Sequence, residues 1–207
     1  MNPSSLQPEA HRSSDMADRS DTELIEESKR GNTSAFEALF HRYQKRIYNL
    51  VYRMVGNEQD AADLTQEVFV RVYNSLHTLR AGEALMGWLR TVAVNITRDH
   101  FRKTSRKVRT DSLDSKIQLD DGEVEREIED WSNNPERALD RKDVQEAVQR
   151  AMNSLSDEHR IIVTMHHIEG MDVKEIAKML KVPVGTVKSR LARARGELKR
   201  KLGHYVE

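Results

Sequence analysis

MDVKEIAKMLKVPVGTVKSRLARARGELKRKL, residues 171–202, decides the fold. It reads as two helices joined by a tight turn. Asp172 with Glu175 three positions on forms a capping-box pattern. Val173, Ile176, Ala177 and Leu180 fall on one face of the first helix. Lys181-Val182-Pro183-Val184-Gly185 breaks that helix, because Pro183 biases Val182 away from helical angles. A second helix starts near Gly185, with Val187, Leu191, Ala194 and Leu198 as its buried stripe. Its other faces carry Lys188, Ser189, Arg190, Arg193, Arg195, Lys199, Arg200 and Lys201 against a single acid, Glu197. An ordinary solvated helix mixes both signs, as i,i+4 pairing favours. This one is nearly all positive, which matches a helix-turn-helix whose second helix lies in a DNA groove.

Outward from that stretch, the composition sets bounds. The 207 residues suffice for one or two domains. Charged residues make up 33% and hydrophobic ones 37%, so cores are small and helix faces well solvated. The 34 basic and 34 acidic side chains cancel, so any basic patch is offset by acid elsewhere. No cysteine is present, which excludes disulfides and Cys-based metal sites. No apolar run approaches the roughly 20 residues a membrane span needs, and the N-terminus lacks a signal peptide's apolar core. A soluble cytoplasmic protein without membrane insertion is expected. No Gly-rich phosphate loop, metal cluster or nucleophile arrangement stands out, so no enzyme, metal or cofactor is expected.

Residues 1–20 read as a disordered tail, within which Met16 offers an alternative start to Met1. Residues 21–30 read as a short helix closed by Gly31-Asn32, and Ser34 as the cap of the next. Phe36, Leu39, Phe40, Tyr43, Ile47, Leu50, Val51 and Met54 keep helical spacing to Gly56-Asn57. In the third helix Ala61, Leu64, Val68, Phe69, Val72, Tyr73 and Leu76 form the inward stripe, and Asp60, Asp63, Gln66, Glu67 and Arg71 the polar face. A loop over residues 77–83 leads to a fourth helix, with Leu85, Trp88, Leu89, Val92 and Ile96 inward and a basic run from Arg98 to Arg109. Residues 106–135 form a flexible acidic linker, rich in Asp and Glu and poor in apolar residues. Beyond it, Leu139, Val144, Ala147, Val148, Ala151 and Leu155 line one helix. Ser156 caps another, with Ile161, Ile162, Met165 and Ile168 inward, ended by Gly170. His166-His167 are adjacent and point to different faces, which disfavours a metal. The fold class is all-α: two small helical bundles, residues 21–105 and 136–207, on either side of the linker. A stand-alone regulator sharing the C-terminal pattern would bind as a dimer to half-sites about one DNA turn apart.

Two segments together resemble the extracytoplasmic-function (ECF) sigma factors of bacterial RNA polymerase. The first is Asp63-Leu64-Thr65-Gln66-Glu67-Val68-Phe69 with Gly87-Trp88-Leu89 and Ala93-Val94-Asn95. The second is Glu175-Ile176-Ala177, the run from Val182 to Leu191, and Arg193-Ala194-Arg195. The resemblance implies a sigma region 2-like domain, which binds core RNA polymerase and opens the −10 element, and a region 4-like domain, which reads the −35 element of promoter DNA. It implies polymerase contacts at Asp60, Asp63, Leu64, Gln66, Glu67 and Phe69. It implies −10 contacts at His77, Arg80, Asn95, Arg98, His100, Arg102 and Lys103. An Asn amide both donates and accepts, so Asn95 suits the edge of a base that has left the stack. The −35 contacts implied are Thr186, Lys188, Ser189, Arg190, Arg193 and Arg195, of which Arg pairs with guanine and Ser with either kind of edge. The division of these six between bases and phosphates stays open. An anti-sigma protein is the expected regulator. The chain departs from the family at Ser156, where Pro is common, at Val173, where an aromatic is common, and at Leu85-Met86-Gly87, where a Phe precedes Trp-Leu. Such a regulator as the dimer above has no reason to carry the 63–69 motif with Asn95.

Overall fold

The computed structural model describes residues 19–79, 84–111 and 135–203. Among them the helices are α1 (Asp21–Lys29), α2 (Thr33–Val55), α3 (Glu58–Ser75), α4 (Leu85–Asp111), α5 (Pro135–Asn153), α6 (Asp157–Val163), α7 (Val173–Leu180) and α8 (Val184–Leu202). A 3-10 turn follows α3 at Leu76–Thr78, and a π turn follows α6 at Thr164–Ile168. No strand occurs among the described residues. The expected disordered tail, apart from its last two residues, lies outside the described residues, as do Arg80 and the linker from residue 112 to 134. The chain divides into two compact units at Thr97 and Arg98, inside α4.

In the first unit α2 is the central element, packed on α1 and α3. Leu24 of α1, Ile47, Leu50, Val51 and Met54 of α2, Val68 and Val72 of α3 and Leu89 and Val94 of α4 are all buried. Phe40 meets Phe69 edge to face, with centroids 4.8 Å apart. Local signals set the helix ends. Ser20 and Glu23 form a reciprocal capping box at the start of α1. Gly31 at φ 93° and Gly56 at φ 73° supply the left-handed conformations that end α1 and α2. Asn32, and not Ser34, caps α2, accepting from Ala35 N at 3.3 Å. The reversal at Gly31 leaves Asn32 as the next residue able to cap, so Thr33 and Ser34 are already helical. Asp21 then ties α1 to α2, accepting from Arg42 Nη1 at 2.5 Å and from the Tyr43 hydroxyl. Burial, then the hydrogen bond to Asp21 and its charge, push the Tyr43 phenol up to about 12.

In the second unit α8 packs against α5, α6 and α7. Val187, Leu191 and Ala194 face Ile161, Ile162, Met165, Ile176 and Leu180 in a buried core. The predicted capping box at Asp172 is present: Asp172 Oδ1 accepts from Glu175 N at 2.8 Å, and Glu175 Oε2 from Asp172 N at 3.0 Å. Lys181 ends α7 in the left-handed region at φ 55°, and Val182 N bonds back to Ala177 O at 3.0 Å. Pro183 then starts α8 one residue earlier than expected, its fixed φ suiting the position before a helix.

Several apolar residues expected inward are not. Tyr73 is 48% exposed, Val144 48% and Ile168 46%. Tyr73 lies about 120° round α3 from the centre of the buried stripe, with its ring edge against Phe36. Val144 shares the side of α5 that carries Ala147 and Ala151, but lies one turn nearer the N-terminus of the helix than the first of these buried residues. Ile168 leaves the core because the helix widens: Glu169 N bonds to Thr164 O at 3.0 Å, five residues back. One extra residue in that turn rotates Ile168 outward while Met165 stays fully buried. Trp88, expected in the core, is half-buried. The fourth helix also continues to Asp111, past residue 106 where the linker was expected.

Two stability measurements check these placements. Leu64→Ala and Phe69→Ala each remove a buried side chain and should cost about 2–5 kcal/mol in denaturant unfolding, whereas Val70→Ala should stay within ~0.5 kcal/mol. Met165→Ala should cost about 2–5 kcal/mol and Ile168→Ser no more than ~0.5 kcal/mol. An equal loss at the two positions would restore a regular α turn there.

Candidate nucleic-acid interface

The outer face of α8 gathers most of the cations expected to meet duplex DNA. Lys188, Ser189, Arg193 and Arg195 are exposed. Ser189 Oγ donates to Thr186 O at 3.0 Å and keeps its lone pairs for a further partner. Arg195 Nε reaches the Leu191 carbonyl at 3.4 Å, which lays its stem along the helix. Thr186 is half-buried, and its amide is bonded to Pro183 O at 3.0 Å. Arg190 stands apart from this set. Its Nη2 pairs with Glu158 Oε2 of α6 at 2.5 Å, and its side chain is 25% exposed. One turn of spacing explains the split: positions 189 and 193 fall on one side of α8, and positions 190 and 197 on the flank that meets α6. On that same flank His159 Nδ1 lies 3.2 Å from Glu197 Oε1.

On α4 Asn95 is exposed, Arg98 and His100 are half-buried, and Arg102 and Lys103 are exposed. Positions 95, 98 and 102 share one face by their spacing, while position 100 lies about 140° round the helix. Arg102 Nη1 is 3.9 Å from Asp99 Oδ1, an exposed pair of little energetic weight. His77 is exposed on the 3-10 turn. Lys29 holds the residue after that turn, donating to Leu79 O at 2.9 Å and to Glu26 at 3.0 Å. Nothing in the sequence near Lys29 signals that bond, which spans fifty positions.

The polar face of α3 has a different character. Asp63, Gln66 and Glu67 are exposed and Asp60 is half-buried. Asp60 N is held by the N-cap Asn57 Oδ1 at 2.9 Å. Leu64 and Phe69, the apolar members of the expected contact set, are 6% and 5% exposed and pack in the core. The apolar groups actually presented beside the three acidic and amide side chains are Val70, 61% exposed, and Tyr73. The sequence carried a signal for Val70, an apolar residue breaking the polar stripe.

Residues 39–107 match the family Sigma-70 region 2, and residues 145–198 match Sigma-70, region 4. The RNA polymerase sigma-H factor of Pseudomonas aeruginosa is 33% identical over 178 residues, covering 84% of this chain and 90% of that one. The ECF RNA polymerase sigma-E factor of Escherichia coli strain K12 is 31% identical over 182 residues, covering 88% and 94%. A co-crystal structure of the sigma factor RpoE with the anti-sigma factor NepR from Bartonella quintana has the same fold, with a TM-score of 0.62 at 19% identity, over 81% of this chain and 96% of that one. A stand-alone regulator sharing only the C-terminal helices does not account for the region 2 match. With both regions present in order and relatives aligned across most of its length, the chain belongs to the ECF sigma factors of bacterial RNA polymerase.

Proposed function

We propose that this chain is the promoter-recognition subunit that turns core RNA polymerase into an initiating enzyme at promoters with −35 and −10 elements, acting in the cytoplasm under the control of an anti-sigma protein. The observation that carries the reading is the pair of matches, region 2 then region 4, on one chain. The work is binding and strand capture, with no covalent chemistry. The α3 face of Asp63, Gln66, Glu67, Val70 and Tyr73 is the surface offered to core polymerase, acidic for a basic partner and apolar enough to hold it. Asp60 flanks it. The same surface is what an anti-sigma protein would cover, and relatives with this fold are known bound to such proteins.

Asn95 with His77 and the loop beyond it, Arg80 included, receives a flipped −10 base. Arg98, His100, Arg102 and Lys103 hold the phosphates around it. Capture of bases offsets the few kcal/mol of lost stacking per flipped base, so opening requires no ATP. Lys188, Ser189 and Arg193 on the outer face of α8 read the −35 duplex, with Thr186 and Arg195 as flanking contacts. Phosphate contacts set position and salt dependence, and base contacts set sequence.

Purified chain and core polymerase, given fragmented genomic DNA, should yield discrete transcript starts that share two sequence boxes upstream. Transcripts without preferred starts, or none at all, would sink the proposal. On a promoter found that way, Asn95→Ala should abolish permanganate reactivity in the −10 element and leave the −35 footprint in place. Loss of both together would refute the assignment of opening to Asn95.

A further inference from the structure

The cations of α8 are not equivalent. Lys188 and Arg193 stand exposed on the outer side. Arg190 faces α6, where the first turn offers Glu158 and His159. Glu158 Oε2 holds Arg190 Nη2 at 2.5 Å, and that carboxylate is itself 64% exposed. Seven positions along, the next group on the same flank of α8, Glu197, meets His159 at 3.2 Å. Two polar pairs therefore line the seam between α6 and α8, beside the apolar contact made by Val187, Leu191 and Ala194.

We propose that Glu158 is a specificity-determining residue, one that withholds Arg190 from DNA phosphates and so lowers affinity for duplex of any sequence. This rests on the reading of α8 as the duplex-binding helix. Non-specific affinity follows the number of protein cations that displace counterions from phosphates. A guanidinium already paired with a carboxylate brings no net charge to that exchange. A phosphate approaching Arg190 also meets the exposed face of Glu158 and is repelled. Lys188, Ser189 and Arg193 keep their access to base edges, so the pair suppresses the sequence-blind part of binding and spares the sequence-reading part. Specificity is a difference of affinities, and lowering the unwanted one raises it. A part-exposed pair adds little to stability, and the buried contact made by Val187, Leu191 and Ala194 is untouched when Glu158 is changed, so the substitution leaves the fold in place.

The test uses the full chain, a short random-sequence duplex and fluorescence anisotropy over a salt series, with matched thermal melts. Glu158→Gln should bind more tightly at low salt, and its log–log salt slope should steepen by about 0.9, one phosphate contact. Between roughly 50 and 200 mM salt it should lose about 3.5-fold more affinity than the wild-type chain. Glu158→Ala should behave alike, and Glu158→Gln combined with Arg190→Gln should return to the wild-type slope. An unchanged or shallower slope in both Glu158 variants overturns the proposal, as does a double variant that stays steep. Arg193→Ala separates the two readings. If it weakens binding while the Glu158 variants change nothing, α8 is the duplex-binding helix and only the role of Glu158 fails. If neither Arg193→Ala nor the Glu158 variants alter binding, both fail.

Discussion

A helix dense in positive charge must be held in place by its one apolar edge. In α8 that edge is Val187, Leu191 and Ala194, each exposed by 2% or less. Burying such side chains is worth roughly 1.5–3 kcal/mol for each large aliphatic group, enough to fix the helix while its remaining surface repels itself. The constraint runs outward from there. The apolar edge needs facing partners, which Ile161, Ile162 and Ile176 supply. Those partners sit on two short helices, α6 begun by the Ser156 cap and α7 bounded by the capping box at Asp172 and the left-handed Lys181. The outer face is then free to be cationic because nothing in the core depends on it.

The first unit solves the opposite problem with the same device. The stripe of α3 that includes Leu64, Val68 and Val72 is buried against α2, and the other side is left acidic. A helix with a firmly packed back displays its front groups in fixed positions, which lowers the ordering cost of meeting a partner. Val70 and Tyr73 make that front more than a solvated surface. Isolated exposed apolar residues are ordinary, but here two of them lie beside an acidic row on a rigid helix.

What the sequence made legible was whatever acts over short range. The capping box at Asp172, the cap at Ser156 and the glycine that ends α2 are decided within a few residues, and each is present in the structure. Ser34 is a good cap by type, but Asn32, two residues earlier and directly after the left-handed Gly31, takes that place. The π turn at Thr164–Ile168 has no local signature: a regular helical period reads straight through it, so Ile168 was placed inside. Leu64 and Phe69 lie within a motif and also on the inward spacing, and that spacing is what the structure shows: both are buried. The Lys29–Leu79 and Arg190–Glu158 contacts join distant positions, and no window along the chain contains both ends.

Charge balance links these observations. With 34 cations and 34 anions the chain has no net attraction for DNA at long range. A protein that must find a few sites among many gains from this, since competing sites are far more numerous than correct ones. Affinity then has to come from groups that engage only when the whole assembly is aligned: bases drawn out of the stack on one side, base edges read on the other. Cations placed on rigid helices and checked by nearby acids fit that requirement better than a uniformly basic surface, which would hold the protein on the wrong sequences as firmly as on the right one.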